Sequence, residues 1–194
     1  MATPAPGFLA FASAAMYGSG IHLRHALPED LPLLADIYAS TRSEELQQTG
    51  WSDEQKRAFT DWQSAKQEEH YALHYPRAER LVIGPVDGVV TVDHDAAAVG
   101  RIYVDTTASD VRLMDVTLLP SYRNRGIGTR LMSGLLRYAE SLGLQVSLHV
   151  EPFNPARRMY ERMSFAVVET RGLYEFMVRP ASPPEADPAK PGPS

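Results

Sequence analysis

Two arginines and two glycines lie within the six residues Arg123-Asn-Arg-Gly126-Ile-Gly128. An apolar run that predicts a buried strand, Val111–Leu119, precedes this segment, and a helical pattern from Thr129 to Leu142 follows it. Glycines in such a turn let a ligand approach the backbone closely, and the first N–H groups of a helix have no partner within it. Phosphate binds at such helix starts, and guanidinium groups add charged donors. The sequence therefore predicts a phosphate-binding loop.

Two common phosphate-binding motifs do not fit this loop. A mononucleotide P-loop requires Gly-Lys followed by Ser or Thr, whereas the chain reads Gly-Ile-Gly-Thr-Arg. A dinucleotide-binding turn requires a third spaced glycine and an acidic residue on a following parallel strand. Thr129-Arg130-Leu131 supplies no such glycine.

A second segment, Asn154–Phe165 (NPARRMYERMSF), combines a helix start with a tyrosine. Asn154 and Pro155 predict an N-cap and a first-turn proline, and Tyr160 lies about two turns further on. Together with Arg-x-x-Gly-x-Gly, this segment resembles the GNAT superfamily of N-acetyltransferases. The resemblance extends from about Ile21 to Arg179, in element order and in motifs.

The resemblance implies acetyl-CoA as cosubstrate and a set of contacts along it. The strand ending in Leu118 and Leu119 would bind the pantetheine arm and splay away from the next strand. Backbone N–H groups of the loop would hold the pyrophosphate, Asn154 would touch the pantetheine, and Tyr160 would face the sulfur. The implied cofactor-binding residues are Leu118, Leu119, Arg123, Asn124, Arg125, Gly126, Ile127, Gly128, Thr129, Asn154 and Tyr160.

Acyl transfer from a thioester asks independently for similar groups. The tetrahedral oxyanion needs a fixed N–H donor, which a splayed strand near Leu118 offers, and a phenol such as Tyr160 can protonate or hydrogen-bond to the leaving thiolate. The amine must arrive uncharged, so a base is expected directly or through water. Asp115, inside the apolar strand, and Glu151, at the end of the neighbouring strand, are the two candidates, and we favour Asp115.

Each of these residues also has a structural explanation. The loop arginines fit a solvated surface, Tyr160 fits ordinary packing, and Asp115 fits a structural hydrogen-bonding role equally well. His149 alternates with apolar residues, which predicts a core histidine, with a substrate-side role as the alternative. His70 and His74 share a helix face, but no glutamate lies between them and no third ligand is evident, so we predict no metal site.

Flanking elements must position the loop and the tyrosine. Ile21 begins a short strand. The segment LPEDLPLLADIYAS predicts a helix whose inward residues are Leu31, Leu34, Ile37 and Tyr38. Ser52-Asp-Glu-Gln55 predicts a capping box at the start of a second helix. RLVIGPVDGVVTVD predicts strands around a turn at Asp87-Gly88, and Gly143 suits a left-handed helix cap. The predicted fold is one α/β domain of order β-αα-βββ-α-β-α-ββ, with a mixed, mostly antiparallel sheet. The tyrosine helix ends in Ser164-Phe165 where the superfamily usually has Gly-Phe.

Composition limits the remaining classes of protein. With 194 residues the chain fits one domain, and its net charge of −5 argues against a nucleic-acid surface. It contains no cysteine, which excludes disulfides, thiolate metal sites and an acyl-cysteine intermediate.

We expect a flexible extension over residues 1–20, an N-acetyltransferase domain over 21–180 and a disordered proline-rich tail over 181–194. No apolar run is long enough to span a membrane and no basic residue precedes Arg24, which favours the cytoplasm.

These observations predict an enzyme that acetylates a primary amine of a small molecule or a protein. The superfamily's acceptor region contains Arg42, Glu44, Glu45, Trp51, Trp62, Arg101 and Tyr103 in this chain. Its acids and aromatic rings suit a cationic or apolar amine, although a charge cluster such as RSEEL also fits a solvated helix end. The alternative is a catalytically weak acyl-CoA-binding sensor or regulatory module. A homodimer through the last two strands is compatible with the sequence.

Overall fold

A computed structural model describes residues 6–86 and 98–181 of the chain. The strands are β1 (Ile21–His25), β2 (Glu79–Pro85), β3 (Gly100–Thr106), β4 (Asp110–Leu118), β5 (Gln145–Val150), β6 (Ala166–Arg171) and β7 (Tyr174–Arg179). The helices are α1 (Phe8–Ala15), α2 (Leu31–Gln47), α3 (Asp53–His74), α4 (Ile127–Leu142) and α5 (Arg157–Arg162).

The seven strands of the described residues belong to one sheet, in the order β1-β2-β3-β4-β5-β7-β6. β4 and β5 are parallel, and every other pair of neighbouring strands is antiparallel. From β1 to β7 the elements follow the predicted order β-αα-βββ-α-β-α-ββ. The predicted α/β domain with a mixed, mostly antiparallel sheet is therefore confirmed.

The main core lies between α4 and one face of the sheet. Leu131 and Leu135 of α4 are fully buried, against residues such as Ile102 of β3 and Leu148 of β5. Gly143 ends α4 with φ 66°, as predicted for a left-handed cap.

α2 and α3 pack against each other on the other side of the sheet. Ser52 and Gln55 form the predicted capping box, in which the Gln55 N–H donates to Ser52 Oγ and the Ser52 N–H donates to Gln55 Oε1. Leu34 and Ile37 of α2 are buried, as predicted. The prediction for Leu31 is wrong, because it begins α2 at the rim of a cavity and is 51 % exposed.

The N-terminal segment differs from the expected flexible extension, because residues 8–15 form helix α1. Phe8 and Ala12 are fully buried in the main core. The Glu79 carboxylate accepts the N–H groups of Phe8 (2.7 Å) and Leu9 (3.0 Å), which have no acceptor inside the helix. α1 also packs closely on α4, where a Cβ at Gly134 would lie 3.1 Å from the Phe11 carbonyl oxygen. Apolar burial and an acidic cap together order this segment.

Two predicted features fall outside the described residues: the turn at Asp87-Gly88 with the strand after it, and the proline-rich tail beyond residue 181. Within the described part of the chain, no helix combines the length and the apolar character that crossing a membrane requires.

Candidate active site

The two parallel strands separate at their carboxyl ends. Register pairing between β4 and β5 runs from Asp110↔Gln145 to Leu113↔Leu148 and ends there. β4 nevertheless continues to Leu118, and β5 continues to Val150. The register of β4 against β3 shifts at the same point, so that Met114 forms a bulge. Beyond this bulge, the backbone groups of β4 that face β5 are available to a ligand.

The glycine loop opens directly beside this gap. Asn124 and Gly126 both have left-handed φ values, 58° and 78°. Glycine adopts this region without strain, and α4 begins at the next residue, Ile127. Within α4, the Arg130 N–H bonds to the Gly126 carbonyl at 3.0 Å. The N–H groups of Ile127, Gly128 and Thr129 therefore point out of the helix start, as a phosphate site requires.

The two loop arginines are both exposed, and they hold the loop in different ways. Arg123 Nε donates to the Leu118 carbonyl at 2.9 Å, which ties the loop to the end of β4. The Arg125 guanidinium lies 5.3 Å from the centre of the Tyr122 ring. Arg123 therefore has a structural contact in addition to the predicted phosphate role.

Asn154 does not cap α5 as the sequence predicts, since α5 begins at Arg157 with Ala156 as its N-cap. The Asn154 side chain instead closes the turn before the helix, where its Oδ1 accepts the Ala156 N–H at 2.9 Å. Its carbonyl accepts the Arg157 N–H at 3.0 Å. Asparagine forms such side-chain turns readily, and this one competes with the cap.

Tyr160 is 5 % exposed, and its ring centre lies 5.8 Å from that of Phe165. The helix that carries it ends with Ser164 at φ 66° and with the Phe165 N–H donating to the Tyr160 carbonyl at 3.1 Å. This is the Schellman arrangement that glycine usually provides. Serine reproduces it here, although a left-handed non-glycine residue costs roughly 1–2 kcal/mol.

The Tyr160 hydroxyl keeps its proton at neutral pH. Burial, followed by the negative charge of Asp115, raises the pKa of Tyr160 to about 12. Among the described residues, none hydrogen-bonds to this hydroxyl. The phenol is therefore a proton donor that no described residue engages as an acceptor, on the side of the sheet opposite α3.

Asp115 is held in place by a buried ion pair. Its Oδ2 lies 2.5 Å from a terminal nitrogen of Arg101, and its Oδ1 accepts the Thr117 hydroxyl at 3.0 Å. The Arg101 side chain is 1 % exposed, and its guanidinium also lies 5.1 Å from the centre of the Tyr103 ring. Asp115 thus presents a fixed negative charge that is already partly compensated.

Residues of α3 hydrogen-bond to Arg101 and Tyr103 on the same side of the sheet. Arg101 donates to Glu68 (3.3 Å) and to Gln67 (2.6 Å), and the Tyr103 hydroxyl donates to Glu68 at 2.8 Å. Burial also raises the pKa of Tyr103 and of Tyr71. Glu68 further lines a cavity of about 660 Å³ between α2 and α3, which contains neither Tyr160 nor the glycine loop.

Glu151 is exposed and follows the last residue of β5. Its backbone carbonyl accepts the Asn154 N–H at 3.0 Å. Among the described residues, no hydrogen bond or ion pair joins its side chain to Tyr160 or Asp115. Of the two predicted base candidates, the structure therefore connects only Asp115 electrostatically to the tyrosine.

The predicted acceptor region lies at the α2–α3 end of the site. Arg42 forms an ion pair with Glu45 at 3.3 Å, which agrees with a solvated helix end. Trp51 and Trp62 are 42 % and 60 % exposed. By contrast Arg101 and Tyr103 are fully buried, so a ligand at the protein surface would not contact them directly.

His70 and His74 stack with ring centres 4.4 Å apart on α3. Over residues 6–86 and 98–181, no three histidine, aspartate or glutamate residues are grouped so that they could hold a metal ion.

The sequence prediction for His149 is also wrong. The predicted core histidine is exposed, whereas its neighbours Leu148 and Val150 are buried in the main core. The predicted alternation of side chains is present, but the face of β5 opposite the main core is open at His149, although Ser147 on the same face is buried.

Comparison with known proteins agrees with this geometry. The model of the acetyltransferase (GNAT) family matches residues 34–165. In sequence, no curated protein matches the chain significantly. One similar structure is the PaiA N-acetyltransferase of Thermoplasma acidophilum in complex with coenzyme A, at 18% identity and TM-score 0.60, over 82% of this chain and 98% of that one. Another is an acetyltransferase of Thermus thermophilus, at 20% identity and TM-score 0.56, over 82% and 96% of the two chains.

Proposed function

The chain belongs to the acetyltransferase (GNAT) family, and we propose that it transfers an acetyl group from acetyl-CoA directly to a primary amine of a small molecule or a protein. The observation that carries this proposal is the gap between β4 and β5, with the glycine loop at its mouth and Tyr160 and Asp115 on its two sides.

The donor fits the gap because each part of the site offers matching chemistry. The open backbone of β4 beyond Leu113 can hydrogen-bond to the amides of the pantetheine arm, and it can supply an N–H donor for the oxyanion. The free N–H groups at the start of α4 suit the pyrophosphate. The acetyl thioester supplies the reactive carbonyl, and the remaining tasks belong to side chains.

Tyr160 is the proposed proton donor to the leaving sulfur. A phenol with a pKa of about 12 is protonated at every pH at which the enzyme would work. A thiol that resembles free cysteine has a pKa of about 8.5, so the phenol holds its proton more tightly than the thiol does. Tyr160 therefore acts first as a hydrogen-bond donor to the developing thiolate, and solvent replaces any proton that it gives up. Asp115 lies on the other side of the gap, where its fixed charge favours an ammonium group.

The base that removes the amine proton is a separate question. Asp115 is the candidate that we favour from the sequence, with Glu151 as the second. The Arg101 ion pair makes Asp115 a better anchor for the acceptor than a proton acceptor, because transferring a proton to it would leave the buried guanidinium uncompensated.

The experiment that tests this function measures release of free CoA from acetyl-CoA over a panel of amines. The panel comprises polyamines, amino acids, aminoglycosides and peptides with a free N-terminus or lysine. We expect release with one class, reduced about 100-fold in Tyr160→Phe. Tyr138→Phe is the matched control, because Tyr138 is also buried but its hydroxyl donates to Thr106 at 3.3 Å, away from the gap. No release with any amine would reject the proposal.

A further inference from the structure

His149 lies where the sheet opens. Leu148 is the last residue of β5 that pairs with β4, opposite Leu113, and His149 is the next residue along the chain. Because successive side chains of a strand point to opposite faces, His149 faces away from the main core that buries Leu148. It is exposed there.

Asp115 shares this face of the sheet. It lies opposite Tyr103, whose hydroxyl reaches Glu68 of α3, so both side chains point towards the α2–α3 side. On β5, Ser147 pairs with Arg112 of β4, and His149 follows two residues later on the same face. Asp115 and His149 therefore flank the acceptor side of the gap, one from each strand.

The surroundings of His149 favour the neutral imidazole. Partial desolvation, followed by the positive charges of Arg112 on β4 and Arg171 on β6, lowers the pKa of His149, and among the described residues Glu169 on β6 acts in the opposite direction. The β7 neighbour is Phe176, which is uncharged and whose ring centre lies 4.8 Å from the imidazole. A neutral imidazole is able to accept a proton at pH 7.

We propose that His149 is the general base that accepts the proton from the acceptor amine, directly or through one water. This inference rests on the proposed acetyltransferase function. Two residues on the same face of the sheet then have separate roles. Asp115, fixed by Arg101, binds the ammonium group of the acceptor, and His149 deprotonates it. The exposed position of His149 lets the imidazolium pass its proton to solvent after each turnover.

The protons balance with this assignment. The acceptor arrives as R–NH₃⁺ and gives one proton to His149, which releases it to water. The free amine attacks the thioester carbonyl, so that a C–N bond forms and the C–S bond breaks. The nitrogen loses a second proton to water, while the sulfur gains one from Tyr160, which water reprotonates. The products are the amide, CoA thiol and one proton.

The test compares kcat against pH for wild type and His149→Gln, with the best amine of the panel at saturation. In the wild type, kcat should fall as the pH drops through the pKa of His149. In His149→Gln this limb should vanish, with kcat at pH 7.5 about 100-fold lower and acetyl-CoA affinity unchanged. Thermal unfolding of the variant verifies that it is folded.

Two neighbouring charges test the assignment further, because they should shift the acid limb of the pH profile only if His149 is the group that titrates. Arg112→Gln removes a positive charge and should shift the acid limb to higher pH, whereas Glu169→Gln removes a negative charge and should shift it to lower pH. A limb that stays in place in both variants, or a His149→Gln enzyme within about twofold of wild type, would overturn the assignment to His149 while leaving the acetyltransferase function intact. If the wild type released no CoA with any amine, both the assignment of His149 and the acetyltransferase function would be overturned.

Discussion

The carboxylate of Asp115 on β4 and the guanidinium of Arg101 on β3 lie 2.5 Å apart, with Arg101 almost wholly removed from solvent. Three elements meet in this contact, because α3 supplies Glu68 and Gln67 to the same guanidinium. The contact joins β3 and α3 to the strand that borders the gap.

Arg101→Met should destabilise the protein by about 3–5 kcal/mol, since it leaves two carboxylates buried without their shared cation. Urea unfolding followed by circular dichroism measures the free energy of unfolding. Arg57→Met is the matched control: its ion pair with Asp36 is also 2.5 Å long but exposed, and it should cost less than about 1 kcal/mol. Equal losses in the two variants would contradict the structural role of the buried pair.

Gly126→Val should abolish acetyl-CoA binding, measured by isothermal titration calorimetry, because a β-branched residue resists φ 78° and reshapes the start of α4. Gly172→Val is the control, since it imposes comparable strain at φ 60° in the β6–β7 turn. We expect this control to lose stability but to retain binding. Normal binding by Gly126→Val would remove the loop from the donor site.

Arg123→Glu tests the same loop through charge rather than backbone shape. It should abolish acetyl-CoA binding, because a carboxylate would face the pyrophosphate and the hydrogen bond to the Leu118 carbonyl would be lost. Arg123→Gln separates the two causes, because an amide can still donate to that carbonyl. If affinity were independent of salt concentration in the wild type, the electrostatic role of the loop would be wrong.

Phe8→Ala should cost about 3–5 kcal/mol of stability, because it empties a fully buried site between α1 and the sheet. Phe153→Ala, at a residue 96 % exposed, should change stability by less than about 0.5 kcal/mol.

Glu79→Gln should lower the free energy of unfolding by about 1 kcal/mol, because it weakens the cap of α1. A protein that lacks residues 1–16 and unfolds at the same urea concentration would show that α1 adds nothing.

The Arg24–Asp30 pair predicts a pH dependence of stability. The hydrogen bond from Arg24 lowers the pKa of Asp30 to about 2, below its unfolded value near 3.8. The pair therefore contributes fully above about pH 4, and its contribution disappears as the pH falls towards 2. Asp30→Asn should be less stable than wild type at pH 6, and the difference should shrink between pH 4 and pH 2. A constant difference across that range would exclude the linkage.

Local patterns were sufficient for much of the site. The glycine spacing indicates the start of α4, and the Ser52–Gln55 box indicates that of α3, because both depend on residues close together in the chain. Contacts across the fold could not be predicted in this way. The cap of α1 comes from Glu79, 71 residues beyond Phe8, and no periodicity signals it. The prediction for His149 is wrong because alternation shows which residues share a face but not whether that face is covered.

Asn154 shows a third kind of limit, since two local hydrogen-bonding patterns were both available to one side chain. The turn that it forms with Ala156 prevailed over the helix cap. The side chain still lies between the end of β5 and the start of α5, so its proposed contact with the donor remains a prediction.

The separation of β4 from β5 leaves a short junction within the sheet. Within residues 6–86 and 98–181, four strands lie on one side of it and three on the other, and the β4–β5 pairing that joins them comprises the four residue pairs from Asp110↔Gln145 to Leu113↔Leu148. Both parts also pack in one core with α4, so we expect any relative movement without a donor to be confined to the strand ends around the gap. A donor that hydrogen-bonds within the gap would hold the two strand ends together. The amides of β4 beyond Leu113 and those at the end of β5 should then exchange with deuterium far more slowly than in the protein without donor.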